Sequence, residues 1–184
     1  MPEYAYKMTT SDMKCRGMQY EPNVWYEEAE ANCVRNGFHA AKNPLDCLSY
    51  YPDFGKSQCW IVEIAGDIDE DSTDSKVSAT KICFRKRLGL PSFVQMACIW
   101  IMKHPRMPYN NPNVTEGPAT PNVNHFAISV GENAKAKGKI GDVLGILRTY
   151  PGSRDIAAAT CFMVDGKNYK PDVWYDADGK EVDG

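Results

Sequence analysis

Residues 4 to 8 alternate aromatic and polar side chains, Tyr4-Ala5-Tyr6-Lys7-Met8, which is the two-residue period of a strand. Asp12 to Glu27 predicts a hairpin, Met18-Gln19-Tyr20 against Val24-Trp25-Tyr26 with Pro22-Asn23 as the turn. Glu27 to Arg35 has helix-forming composition and stops at Asn36-Gly37, a C-terminal cap. Phe38 to Ala41 follows as a short strand. Asn43 then caps a helix with Pro44 at its first position, running through Leu45, Leu48 and Tyr51 until Pro52 ends it. Cys59 to Ile64 has strong β propensity, and Val77 to Phe84 alternates as its partner across an acidic loop, Asp67 to Asp74. Phe93, Ala97, Trp100 and Ile101 recur at spacings of three and four and predict a helix ending at Lys103. His104 to Asn124 changes character to Pro and Asn and reads as a connection. Beyond it lie short strands at 125–130, 143–147 and 157–164, then a closing hairpin.

These elements predict an α+β fold: a mixed or antiparallel sheet with two to three helices over residues 1–103, a Pro/Asn-rich connection over 104–124, and a small β segment over 125–184.

An internal echo is the clearest nonrandom feature. Gly17-Met18-Gln19-Tyr20-Glu21-Pro22-Asn23-Val24-Trp25-Tyr26-Glu27 matches Gly166-Lys167-Asn168-Tyr169-Lys170-Pro171-Asp172-Val173-Trp174-Tyr175-Asp176 at Gly, Tyr, Pro, Val, Trp and Tyr. Two similar hairpins are expected, either as a recurrent stable unit or as a repeated recognition element presenting Trp25 and Trp174.

Composition narrows the class. The chain has 184 residues, 43% of them hydrophobic, and a net charge of -3, which excludes a disordered chain. The mild acidic balance argues against direct nucleic-acid binding, which needs a clustered cationic excess. No charged and apolar leader opens the chain, and the apolar stretch from Leu88 to Met102 contains Pro91 and falls short of the ~20 residues of a membrane span. The expectation is therefore a cytoplasmic protein with no membrane contact. Seven cysteines without a C-x-x-C pair, and histidines as scattered as His39, His104 and His125, predict reduced thiols and no metal site. Asp67-Ile68-Asp69-Glu70-Asp71 begins like a calcium loop but has Ser72 and Ser78 where Gly and Glu are needed. It reads instead as a solvated acidic turn. Asp67, Asp69, Glu70 and Asp71, together with Trp25 and Trp174, are the candidate surface for a protein partner with a basic groove.

Cys15-Arg16-Gly17, Gly37-Phe38-His39-Ala40-Ala41, Asn43-Pro44-Leu45-Asp46-Cys47, Tyr50-Tyr51-Pro52 and Asp74-Ser75-Lys76-Val77 form a series. It resembles an uncharacterised domain of phage and prophage proteins, with its CRGFQYE, GFHAC-x-x-PLD and YYP motifs. Longer members look like this domain joined to a Gly/Ala/Ser repeat solenoid and a closing hairpin. Val164-Asp165-Gly166 to Trp174-Tyr175 matches that hairpin, and Ile128 to Ile146 a minimal solenoid. The resemblance implies an accessory protein that binds a host bacterial protein, of the counter-defence (anti-CRISPR-like) kind, without catalysis or cofactor. A structural virion component is a further alternative.

The opening strand, the Gly-Phe-His strand and the Pro-capped helix also resemble the first half of the ADP-ribosyltransferase fold. That resemblance implies an NAD site in which His39, Tyr50 and Tyr51 line the nicotinamide pocket and Arg16 holds the pyrophosphate. Glu63 would be the catalytic glutamate beside His39. Met8 stands where that fold has a glycine, and no Glu-x-Glu or Gln-x-Glu pair occurs.

Overall fold

The computed structural model describes residues 3–33, 35–70 and 74–183, and its regular secondary structure is mostly β-strand. The α+β expectation is corrected accordingly: among the described residues there is one α-helix and two short 3-10 segments.

The chain divides into two compact units, Met1–Gly89 and Leu90–Gly184. The first holds β1 (Glu3–Thr10), β2 (Lys14–Cys15), β3 (Met18–Gln19), β4 (Trp25–Glu27), β5 (Phe38–Ala41), β6 (Ser57–Glu70) and β7 (Lys76–Leu88). β1 pairs antiparallel with β6 along its whole length, from Glu3–Ile64 to Thr10–Ser57, but meets β5 only at Tyr6–Ala41. β6 pairs with β7, and β7 also pairs with β5 and β4. The circuit β1–β6–β7–β5 therefore closes on itself, with a weak seam between β1 and β5. Closure removes open edges and creates an interior. That interior holds Phe38, Val62, Ile64, Val77, Ile82 and Phe84, each contributing roughly 1.5–3 kcal/mol by burial.

Three local expectations in this unit are overturned. Glu27 to Arg35 is not a helix: Glu27 ends β4, the Glu28 N–H donates to the Thr80 carbonyl at 2.8 Å, and Asn32 bridges Asn36. The segment has helix-forming residues but no apolar stripe, so pairing along β7 wins over propensity. The helix from Pro44 is a 3-10 segment, Pro44–Ser49, though Asn43 does cap it, accepting from the Leu45 N–H at 3.1 Å. Too few residues separate Pro44 from Pro52 for an α-helix to propagate. Met18 to Tyr20 does not pair with Val24 to Tyr26. β3 pairs with β2 instead, and β4 is donated to β7.

The second unit opens with α1 (Leu90–Lys103), followed by β8 (Val114–Glu116), β9 (Phe126–Gly131), β10 (Lys135–Ala136), β11 (Val143–Thr149), β12 (Ile156–Met163), β13 (Trp174–Asp176) and β14 (Glu181–Val182). The sequence boundary was expected at 104, but the units divide at Gly89–Leu90. The reason is that α1 buries Phe93, Val94, Ala97, Cys98 and Ile101, and Phe93 meets Phe126 of β9 edge-on at 5.8 Å. Gly145 of β11 is required there, since a Cβ would meet the Cys98 sulfur at 2.5 Å. β8, β9 and β11 run parallel, with Val114, Ile128 and Gly145 side by side, and Ala119 bridges Ala136 in parallel as well. Successive coils stacked in parallel on two faces are solenoid geometry. β12 closes one side antiparallel to β11, and β13 joins β10 to β14.

Candidate functional site

A cavity of about 390 Å³ lies beside the β1–β5 seam of the first unit. Its walls come from β1, the β2–β3 hairpin, β5, the 3-10 segment at Pro44–Ser49 and the start of β7. Arg16, His39, Tyr50 and Tyr51, which lie in three separate stretches of sequence, all line it.

The β2–β3 turn places Arg16. Arg16 and Gly17 both have positive φ, 49° and 82°, the requirement of a type I′ hairpin turn. Asn or Asp is the usual first residue of such a turn, so an arginine there is locally disfavoured. His39 stands on β5 and is half-buried. Burial, then the cations of Lys7, Arg16 and Lys76, lowers its pKa, so the ring is neutral at pH 7. The Tyr51 hydroxyl is pushed up by burial and stays protonated. Tyr50 is 59% exposed and lies under the Lys76 ammonium at 5.3 Å. Asp46 ties the 3-10 segment to the start of β7, accepting from the Ser75 hydroxyl at 2.6 Å.

The remaining wall was not anticipated. Lys7 is 7% exposed, and its Nζ donates to the His39 carbonyl at 2.5 Å, at the seam where β1 and β5 keep a single pair. Desolvation lowers its pKa. Cys47 donates to the Tyr6 carbonyl at 3.5 Å, and burial pushes its thiol up to about 12, so it is inert at neutral pH. Glu28 is the glutamate of the wall, and its carboxylate accepts from the Gly37 N–H at 3.1 Å. Gly37 has φ +85°, and a Cβ there would meet Ser78 Oγ at 2.4 Å, so glycine is obligatory.

Glu63 is not on this wall. It is buried on β6 and accepts from Arg85 Nε at 2.6 Å, which keeps the guanidinium protonated. Tyr4, Glu63, Cys83 and Trp25 stand in one row across β1, β6, β7 and β4. Arg85 also covers the Trp25 ring at 5.4 Å.

The acidic residues do not form a free loop. β6 continues through Glu70, where Asp69 accepts from the Cys33 N–H at 2.7 Å and Glu70 pairs with Lys42 at 2.5 Å. Asp67 is exposed at a β-bulge, its N–H donating to the Thr80 hydroxyl at 3.0 Å. Asp71 lies outside the described residues.

Trp174 belongs to the second unit, with Lys137 and Lys135 over its ring at 4.9 and 5.4 Å. Among the described residues no group of three His, Cys, Asp or Glu side chains could hold a metal ion, and no helix is long and apolar enough to cross a membrane.

Every cavity residue lies between Tyr6 and Lys76, and residues 4–96 match the domain of unknown function DUF7666. The chain belongs to that family. No curated protein and no solved structure matches it.

Proposed function

We propose that the protein acts through this cavity, as a small-molecule site for a flat, negatively charged ligand of mononucleotide size, with a nicotinamide nucleotide as first candidate. One observation carries the reading: Arg16, His39, Tyr50 and Tyr51 converge on one cavity from separate segments. The volume suits a compact ligand, Arg16 supplies positive charge, with Lys76 beside it paired to Asp74 at 3.3 Å, and the tyrosines supply stacking faces. The resemblance to the ADP-ribosyltransferase fold points to the same ligand. Arg16 in a turn position better suited to Asn fits a residue kept for binding rather than for folding.

Calorimetric titration with NAD, nicotinamide mononucleotide and ADP-ribose tests this. Binding is expected for at least one, weakened about tenfold or more by Arg16→Asn, while the melting temperature is held or raised because Asn suits the turn. Absence of binding, or a variant with unchanged affinity, overturns the reading. Intact mass after incubation with NAD decides catalysis: a protein heavier by one ADP-ribose is the product of a transferase.

A second reading, a phage- or prophage-encoded accessory protein that captures a host bacterial protein, is favoured by Tyr4 and Trp25. They are 66% and 40% exposed at the two ends of one cross-strand row. Under it, a stoichiometric partner retained by the Arg16→Asn protein is lost on Trp25→Ser; retention by both removes the row from the account.

A further inference from the structure

We propose that Lys7 is the reacting group of the cavity: an amine that condenses with the carbonyl of a small anionic aldehyde or ketone. The inference rests on the reading of the cavity as a small-molecule site and assigns the chemistry inside it.

Lys7 follows Ala5 on the core-facing side of β1, in register with the buried Trp60 of β6. A buried ammonium ordinarily requires a carboxylate close by. Among the described residues no carboxylate forms an ion pair with Lys7. Its surroundings are the Tyr20 ring, 6.0 Å from Nζ, the thiols of Cys15 and Cys47, and the backbone carbonyl of His39. Such a site weakens the hold on the ammonium proton, so the uncharged amine, whose lone pair is a nucleophile, is more accessible than on an exposed lysine, and one hydrogen bond to a fixed carbonyl orients the nitrogen at the cavity wall.

The other wall residues complete the requirements. Arg16, on the turn at the cavity wall, attracts a carboxylate or phosphate on the incoming molecule, while the Lys76 ammonium is paired with Asp74 at 3.3 Å. The neutral His39 ring and the protonated Tyr51 hydroxyl are proton carriers. In the addition step the Lys7 nitrogen bonds to the carbonyl carbon, and the carbonyl π pair moves to oxygen, which takes a proton. The carbinolamine then loses its hydroxyl with a second proton as water while the nitrogen gives up its last proton, leaving a C=N bond. One carbonyl and one amine become one imine and one water, and no oxidant, reductant or cofactor is required.

The test uses the unmodified full-length protein with glyoxylate at pH 7, the imine being trapped by cyanoborohydride and located by peptide mass mapping. Lys7 should be labelled about tenfold or more faster than the exposed Lys56 and Lys86, because an uncharged amine is the reactive form. Arg16→Gln should slow labelling of Lys7 and leave Lys56 and Lys86 unchanged. Labelling of Lys7 no faster than that of the exposed lysines overturns the inference. Nucleotide titration separates the two failures. Nucleotide binding without selective labelling defeats the Lys7 chemistry alone, whereas selective labelling without nucleotide binding retains Lys7 and defeats the nucleotide assignment.

Discussion

Lys7 shows how a single residue reverses a local reading. Along β1 the large side chains of Tyr4, Tyr6 and Met8 alternate with Ala5 and Lys7, a pattern that by local hydrophobicity alone would turn Lys7 to solvent. Tyr4 is instead exposed, while Ala5 and Lys7 are buried. Met8 is buried as well, with the 3-10 segment Pro44–Ser49 packed against β1. A strand covered on both faces loses its alternation signal. The burial of Lys7 has a measurable consequence. A lysine whose folded pKa lies below 10.5 binds fewer protons folded than unfolded, so its contribution to stability improves as pH rises between the two values. Cys15, Cys47, Arg16 and His39 face the same amine and are kept in a Lys7→Met variant; Lys7 itself shifts His39, which titrates below 6.5, and Cys47, whose thiol is held up at about 12, so the comparison is read between those limits. Urea denaturation of both proteins should therefore show wild type gaining on Lys7→Met from its folded pKa up to pH 10.5. A difference flat with pH would mean that Lys7 is charged and solvated.

At the scale of elements, the repeated heptad YxPxVWY is one device used twice, once in each unit, though not the hairpin its sequence suggests. In both copies the two tyrosine rings meet edge-on, at 5.0 Å and 75° for Tyr20–Tyr26 and at 5.3 Å and 77° for Tyr169–Tyr175. In both the second hydroxyl accepts a backbone N–H, from Glu21 at 2.8 Å and from Lys170 at 2.7 Å. Asn23 and Asp172 have φ of 62° and 60°, a left-handed conformation their side chains tolerate. Their N–H groups donate to Phe84 and Gly138, and the following aromatic strands then lie antiparallel on β7 and β10 in the same register. The device lays a short strand along a neighbouring edge. Its residues were legible in the sequence; the strand it would join was not, because β7 and β10 are distant along the chain. Tyr175→Phe leaves the Lys170 N–H without its acceptor and should cost about 1–2 kcal/mol in denaturant unfolding. Tyr26→Phe, at a less buried site, should cost less. Equal stability of wild type and both variants would reduce the device to ring packing.

For the whole molecule, the decisive difference is where one unit ends. Pro and Asn after His104 signal a connection, yet β8 forms within it and pairs in parallel with β9. The true division falls at Gly89, before a helix whose apolar face is buried within the second unit. A fragment ending at Gly89 should give a cooperative thermal transition and a monomeric gel-filtration peak. One ending at Lys103 would expose Phe93, Val94 and Ile101 and self-associate. An unfolded shorter fragment, or a monomeric longer one, would contradict this boundary.

Short-range physics made much of this protein readable from its amino acids. β propensity and alternation located β5, β6 and β7; apolar spacings of three and four located α1; the Asn43-Pro44 cap marked a helical start; and the series from Arg16 to Tyr51 named four residues of one cavity. Tertiary structure alone decided the rest. It closed the first sheet into a circuit, moved Glu63 into an ion pair with Arg85, bound Asp69 and Glu70 to neighbouring segments, and buried Lys7 at the seam. Each of these outcomes depends on which strand lies beside which. Pairings between residues far apart in the chain leave no periodicity in either partner, and only the assembled sheet supplies the neighbours that fix burial, charge and reactivity.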